Sequence, residues 1–356
     1  MKFFIAIALC FGVLIASNAW AEPYFAARKG VSCNACHMNE TGGFARNDFG
    51  RNYGESLQTF DWPGLSEDAP VKNFPSRRLA IAGDLHMGYI LNDSTQTSTF
   101  DLGRQNFYLM AYLNEAVKGV VSYSPVGAKE VYGLVSGLPE GSYIKFGSFS
   151  IPYGLMLPDD NSYIRGGLGF TFTRTEVGIE AGIYPDPVFL KLAAFNGNGN
   201  AAMGIDRQKA FSGWGGLNFT DFTIGGSVYY QTPSFTLGQG YQLRFGSFGW
   251  ARIWRFVVLG EYDLGYNAMD YAAVNVDRMI AIHGSMEFDC GNNIYIRLQR
   301  EFLNPSLAAG DESVRSVAGI RFFPVQNLQV SLDYQLIEPV AGNSAGGFVA
   351  DTHVFF

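Results

Sequence analysis

Leu79-Ala80-Ile81-Ala82-Gly83-Asp84-Leu85-His86-Met87-Gly88-Tyr89-Ile90-Leu91 is the stretch whose reading decides the fold. Leu79, Ile81, Leu85, Met87, Tyr89 and Leu91 share one parity, while Ala80, Ala82, Asp84, His86 and Gly88 share the other, with Arg78 just ahead of them. Alternation with period two is the mark of a β-strand, whose side chains point to opposite faces in turn. Here one face is apolar throughout and the other carries every charge. A strand set between lipid and a wet lumen has this pattern.

The pattern recurs along the chain. Phe107, Leu109, Ala111 and Leu113 oppose Arg104 and Asn106, and Ile280, Ile282, Met286 and Phe288 oppose Asp277, His283, Glu287 and Asp289. Near the end, Leu328, Val330, Leu332, Tyr334 and Leu336 face away from Gln329, Ser331, Asp333 and Gln335. The alternation predicts sixteen strands, centred near residues 84, 108, 120, 133, 146, 178, 191, 213, 226, 246, 259, 282, 297, 318, 332 and 352. Their connections alternate in length. Asn114-Glu115, Pro139-Glu140-Gly141, Pro185-Asp186, Thr220-Asp221, Cys290-Gly291-Asn292 and Pro324-Val325-Gln326 read as short turns. Asn92–Phe100, Ile151–Phe170, Asn196–Gln208, Tyr266–Asn275, Asn304–Glu312 and Pro339–Gly347 read as long loops. An even strand number with short turns at one end and long loops at the other predicts a bacterial outer-membrane barrel. Composition agrees: 43 Gly, 30 Phe and 19 Tyr stand beside only 16% charged residues. A soluble β-sandwich would show a polar outer face instead. The expected fold is therefore mainly β, an antiparallel transmembrane barrel of about 16 strands over 78–356, ending in Val354-Phe355-Phe356.

Ahead of the barrel, residues 1–21 read as a signal peptide: Lys2, an apolar stretch from Phe3 to Ala16, and a small-x-small site at Ala19-Trp20-Ala21. The formal net charge of −7 argues against a nucleic-acid partner. Residues 22–60 read as a small polar segment, helical around Tyr24–His37 and Phe44–Phe60, and 61–77, with Pro63, Pro70 and Pro75, as a linker. So short a segment is small for an independent core, where metal or cofactor support is usually needed.

That segment contains Cys33-Asn34-Ala35-Cys36-His37. C-x-x-C-H is the attachment signature of a c-type haem, with two thiols joined to the porphyrin and the histidine as axial ligand. A thioredoxin-like dithiol needs a βαβ setting that this chain lacks. A zinc site needs four ligands, and the segment offers no third cysteine or second histidine. The expectation is one covalently attached haem c, bound through Cys33 and Cys36 with His37 as proximal iron ligand. Phe25-Ala26-Ala27-Arg28 before the motif and Phe49-Gly50-Arg51 with Tyr53 after it extend the pattern. On these residues the chain resembles the fused outer-membrane monohaem cytochrome c–porins, the iron-oxidase type. The resemblance implies electron transfer between extracellular Fe(II) and a periplasmic electron-carrier cytochrome, with the cytochrome segment in the barrel lumen or its periplasmic mouth.

The sixth iron position has no ready donor nearby. Met38 adjoins His37 on the same backbone turn, and no other His or Met lies between Glu22 and Arg77. Parity turns His86, His283 and His353 into the lumen, with His86 the preferred distal ligand. Ordinary lumen histidines bonded to Asp84, Glu287 or Asp351 are the alternative. Arg51 is a candidate partner for a haem propionate. Arg174, Glu176, Glu180, Arg255, Glu261, Asp263, Arg297, Glu301 and Arg321 are expected along the lumen wall. Asp159, Asp160, Asp270, Asp311 and Glu312 in the outer loops are hard oxygen donors that suit Fe(II). Cys290 has no assigned role. A hydrocarbon layer roughly 30 Å thick exceeds the width of one haem several times over. A single haem must therefore sit well inside the lumen or meet partner haems. Two other functions fit the same sequence: outward electron transfer to extracellular metal or a partner cytochrome, and a diffusion porin with a structural or redox-sensing haem.

Overall fold

The computed structural model describes residues 23–31, 35–37, 46–47, 49–50, 53 and 79–355, apart from 103–104, 125–129, 158, 160, 172–173, 198, 200–206, 235–237, 270–274 and 341. The signal peptide 1–21, Cys33, Met38, Arg51, the linker 61–77, Asp160 and Asp270 lie outside the described residues.

Among the described residues the chain forms a short helix α1 (Pro23–Lys29), helical positions at Ala35, Phe49, Gly50 and Tyr53, and then strands, save for two single helical turns. The strands are β1 (Leu79–Asn92), β2 (Thr97–Asp101), β3 (Gln105–Tyr112), β4 (Val117–Tyr123), β5 (Val131–Val135), β6 (Tyr143–Ser150), β7 (Thr175–Ile183), β8 (Val188–Phe195) and β9 (Ala210–Asn218). They continue as β10 (Phe222–Gln231), β11 (Gln242–Ile253), β12 (Phe256–Ala268), β13 (Val276–Gly291), β14 (Ile294–Asn304), β15 (Ser313–Val325), β16 (Leu328–Pro339) and β17 (Ala345–Phe355). β2 pairs with the later half of β1 and β3 with the earlier half, so the two share one position in the wall. Every other neighbour pairs antiparallel in chain order, and β17 closes on β1 from Asp84↔Phe355 to Asn92↔Gly347. The wall is a closed antiparallel barrel of sixteen strands, and closure removes every exposed sheet edge.

All sixteen predicted centres fall within strands. Ile81, Met87, Leu109, Ile179, Leu192 and Ile224 are exposed on the outer face, whereas Ala82, His86, Met110 and Glu180 are buried. Stripped of lipid, such an outer face would leave a continuous apolar surface far beyond what a soluble monomer shows. Aromatic pairs mark both rims. Phe219 with Phe222 and Phe256 with Phe288 lie at the short-turn end, and Phe245 with Tyr266 and Tyr334 with Phe348 toward the long-loop end. These are the two aromatic girdles of a membrane barrel.

Three predicted connections differ in detail. Asn92–Phe100 is a tight hairpin, since β2 begins at Thr97. The turn after β13 falls on Asn292-Asn293, both at positive φ, a conformation that asparagine tolerates; Cys290 sits in a bulge of β13 just before it and is exposed. Ile151–Phe170 is not an outer loop at all. It folds into the lumen, where Ile151, Tyr153, Leu155, Ile164, Leu168 and Phe170 are buried.

Candidate haem site and lumen

The described residues of the N-terminal segment pack against wall residues near the short turns. α1 stops where Gly30 takes a φ of +63°. Gly30 N–H donates to the Ala27 carbonyl at 3.2 Å and Val31 N–H to the Ala26 carbonyl at 3.1 Å, the double bond of a Schellman cap. The helix is thus shorter than the stretch Tyr24–His37 expected to be helical. A Cβ at position 30 would also stand 2.6 Å from the Thr220 carbonyl oxygen, so the cap and the wall both require glycine there.

Contacts with the wall fix α1. Arg28 forms an ion pair with Glu287, which is fully buried and also bound by Arg321 at 2.7 Å. The Arg28 guanidinium lies 3.6 Å from the Tyr295 ring centre, its carbonyl accepts from Arg252 at 2.6 Å, and Phe25 meets Phe323 edge-on at 5.8 Å. Each wall partner lies within a few residues of a short turn.

Beyond Val31, the backbones of His37 and Arg46 form an antiparallel bridge. Asn47 locks the motif. Its N–H donates to the Cys36 carbonyl at 3.0 Å, its Nδ2 to the Ala35 carbonyl at 3.0 Å, and its Oδ1 accepts from Gly50 N–H at 2.9 Å. Gly50 therefore rides directly over Cys36, and a Cβ there would collide with the Cys36 carbonyl oxygen. The glycine of Phe49-Gly50-Arg51 is a close-approach position that holds the second half of the segment against the motif. Tyr53 returns to α1, 6.3 Å from Phe25 and beneath the Lys29 ammonium at 5.2 Å.

The three lumen histidines point inward. His86 and His353 face each other across the closing seam and stack at 4.0 Å with their planes 13° apart. His353 Nε2 lies 3.0 Å from Asp84 Oδ1, and His86 Nδ1 lies 3.7 Å from Asp351. Arg46 lies over the Phe355 ring at 4.0 Å, and that ring is 4.9 Å from His353. His283 is engaged at both nitrogens, with Glu301 rather than Glu287 at 2.8 Å and with Ser285 at 2.7 Å.

The inward loop is fastened to the facing wall. Tyr153 donates to Asp263 at 2.9 Å, Gly154 N–H to Ser227 at 2.8 Å, Leu155 N–H to Glu261 at 2.6 Å, and Trp214 Nε1 to the Gly154 carbonyl at 2.9 Å. Arg315 spans Glu301 at 2.9 Å and Asp159 at 2.7 Å, while Ser162 bonds the same Glu301. Burial, with the neighbouring Asp263 carboxylate, pushes the Tyr153 phenol well above its ordinary value. Asp159 is thus neutralised by Arg315 and is not an open acidic ligand. Asp311 is exposed, and Glu312 accepts from Asn304 at 2.9 Å. Among the described residues no group of three or more His, Cys, Asp or Glu side chains could hold a metal ion. Of the expected lumen-wall charges, Arg255 is misplaced: it lies in the turn between β11 and β12, with its side chain 39% exposed.

Two of the spaces among the described residues bear on the site. A polar one of about 1360 Å³, counting its open side, is bordered by Tyr24, Asp159, Arg297, Arg315, Asp333 and His283. An apolar one of about 600 Å³, counting its open mouth, lies against Ala26 and Val31 of the N-terminal segment and Trp214, Phe248 and Trp250 of the wall. The rings of Phe189, Trp214, Phe248 and Trp250 wall the apolar space. Sequence reasoning missed the wall's part in this cavity, because inward aromatics do not stand out in strands rich in aromatics on both faces.

No family model matches the chain, and no curated protein matches it in sequence. Solved structures do match in fold. A loop-deletion form of OmpT, an outer membrane protein of Vibrio cholerae, superposes with a TM-score of 0.60 at 14% identity, covering 78% of this chain and 99% of that one. An anion-selective porin from Comamonas acidovorans gives 0.61 at 9% identity, over 78% and 99%. The outer membrane channel DcaP of Acinetobacter baumannii gives 0.59 at 9% identity, over 80% and 99%. The fold is that of the porin-like outer-membrane barrels.

Proposed function

We propose that this protein is a haem-bearing electron conduit of the outer membrane, carrying electrons from extracellular Fe(II) to a periplasmic electron-carrier cytochrome, as in the cytochrome–porins it resembles. The observation that supports the reading is the packing of α1, just ahead of the haem motif, against wall residues beside the short turns of a membrane-spanning barrel. The short-turn end corresponds to the periplasmic face in bacterial barrels. Cys33 and Cys36 would hold the haem covalently and His37 would serve as its axial ligand. When bound, the group supplies one-electron redox chemistry whose potential follows axial ligation, burial and hydrogen bonding.

The chain's own residues account for the rest. Asn47 and Gly50 fix the Ala35–Cys36 backbone, the Arg28–Glu287 pair holds the segment in the mouth, and the inward loop narrows the lumen above it. Reconstitution into liposomes with a reductant outside and a cytochrome c acceptor trapped inside tests the reading. Acceptor reduction by Fe(II) supports it, and solute-driven swelling without acceptor reduction sinks it. The second reading, a diffusion porin, draws on the likeness to porins and the polar space beside Arg315 and Asp333, and swelling is the outcome that favours it. Outward electron flow is told apart by exchanging donor and acceptor across the membrane.

A further inference from the structure

The inward loop rests on the wall through two neighbouring acids. Glu261 and Asp263 stand two residues apart on β12, so both point into the lumen, where both are buried. Leu155 N–H donates to Glu261 at 2.6 Å and the Tyr153 hydroxyl to Asp263 at 2.9 Å. The two carboxyls also hydrogen-bond to each other. Asp263 Oδ2 is buried, and among the described residues no nitrogen or hydroxyl donates to it. An ionised carboxylate only accepts hydrogen bonds, and two of them in contact repel. A contact between these two acids therefore needs one proton between them.

We propose that Glu261 and Asp263 share one proton and form a pH-sensitive latch on the inward loop: base removes the proton, the two carboxylates repel, and Tyr153–Leu155 lifts from the wall and widens the lumen.

Steric room decides which side moves. A Cβ on Gly154 would collide with the Glu261 carboxyl and one on Gly246 with that of Asp263, so loop and wall close on the pair from both sides. The wall is held on either flank, since β11 and β13 pair with β12 residue by residue. The loop is held here by isolated bonds, to Ser227, Trp214 and the two acids. Repulsion therefore displaces the loop. Arg165 faces the pair from the loop and donates to the Tyr153 carbonyl at 3.1 Å. Arg244 faces it from β11 and donates to Asn267 at 2.7 Å, with Tyr229 and Arg174 beyond it. On β13, His283 stands opposite Glu261 in register, with its ring nitrogens engaged by Glu301 and Ser285. These cations balance the one negative charge that the pair keeps. The proton is bound while the loop is seated and lost as it lifts, so seating is firm at low pH and weakens as pH rises.

The test uses the full-length protein in lipid, with folding checked by heat-modifiable electrophoretic mobility. Infrared difference spectra between about pH 6 and about pH 10 show a protonated-carboxyl stretch that disappears in the wild type. Asp263→Asn and Glu261→Gln lack that change, because an amide donates permanently where the proton stood. Single-channel conductance rises over the same range in the wild type, and again in Arg28→Ala, where the N-terminal segment no longer obstructs the mouth. With either amide added to these two proteins, conductance stays at its low-pH level throughout. An infrared change indifferent to both substitutions, or a conductance rise that survives them, overturns the proposal. A carboxyl band that titrates with no change in conductance overturns it as well. Neither readout involves haem, so this result and the electron-transfer reading stand or fall separately.

Discussion

Gly30 meets two demands at once, a left-handed backbone to cap α1 and the absence of a side chain against Thr220. For an L-residue that backbone costs about 1–2 kcal/mol, before the Thr220 clash is counted. Gly30→Ala should therefore loosen the N-terminal segment without unfolding the wall, seen as faster proteolysis ahead of residue 79 while the barrel keeps its heat-modifiable mobility. Arg28→Ala acts at the same seat by another route. Losing one partner of a buried pair costs roughly 3–5 kcal/mol, but Arg321 keeps Glu287 paired, so a loss on the order of 2 kcal/mol is expected. The measurement is single-channel conductance in planar bilayers, which should rise as the segment leaves the mouth. Gly50→Ala displaces Cys36 and should lower the yield of attached haem per barrel. Among these residues, Cys36, His37 and Gly50 were visible in the sequence as a motif, whereas the reason for Gly50 was not. It depends on a contact between two turns that no local spacing encodes.

At the scale of elements, period-two alternation located every wall strand, because lipid on one face and a polar lumen on the other impose the same parity along all of them. The inward course of Ile151–Phe170 escaped the same logic. A long connection between strands reads as an outer loop, and its apolar content (Leu155-Met156-Leu157 above all) was the available signal that it is buried. Its anchoring is polar and redundant: Tyr153 to Asp263, Leu155 to Glu261, Asp159 to Arg315 and Ser162 to Glu301. Replacing residues 156–168 with a short Gly-Ser linker should widen the lumen and raise conductance while the wall stays closed. Glu301→Gln should give a smaller rise, since of these anchors it weakens only the Ser162 attachment directly. The expected helix over Tyr24–His37 is likewise cut short by Gly30, a residue that sequence alone placed inside it.

For the whole molecule, the decisive question is what crosses the lumen. The segment and the loop enter it from different directions and leave an apolar pocket on one side and a polar space on the other. An electron conduit and a solute pore place opposite demands on this arrangement, since a well-seated segment favours the first and hinders the second. Proteoliposomes of Arg28→Ala should accordingly show faster solute swelling and slower acceptor reduction than wild type, and a parallel change in both would contradict the arrangement. Sequence fixes the architecture through repetition, but the division of the lumen arises from contacts more than a hundred residues apart, such as Arg28 with Glu287 and Leu155 with Glu261.

Arg46 rests on Phe355, near the last residue of the chain, on the strand that closes the barrel against β1. A single cation–aromatic contact thus ties the N-terminal segment to the seam where the first and last strands of the wall meet.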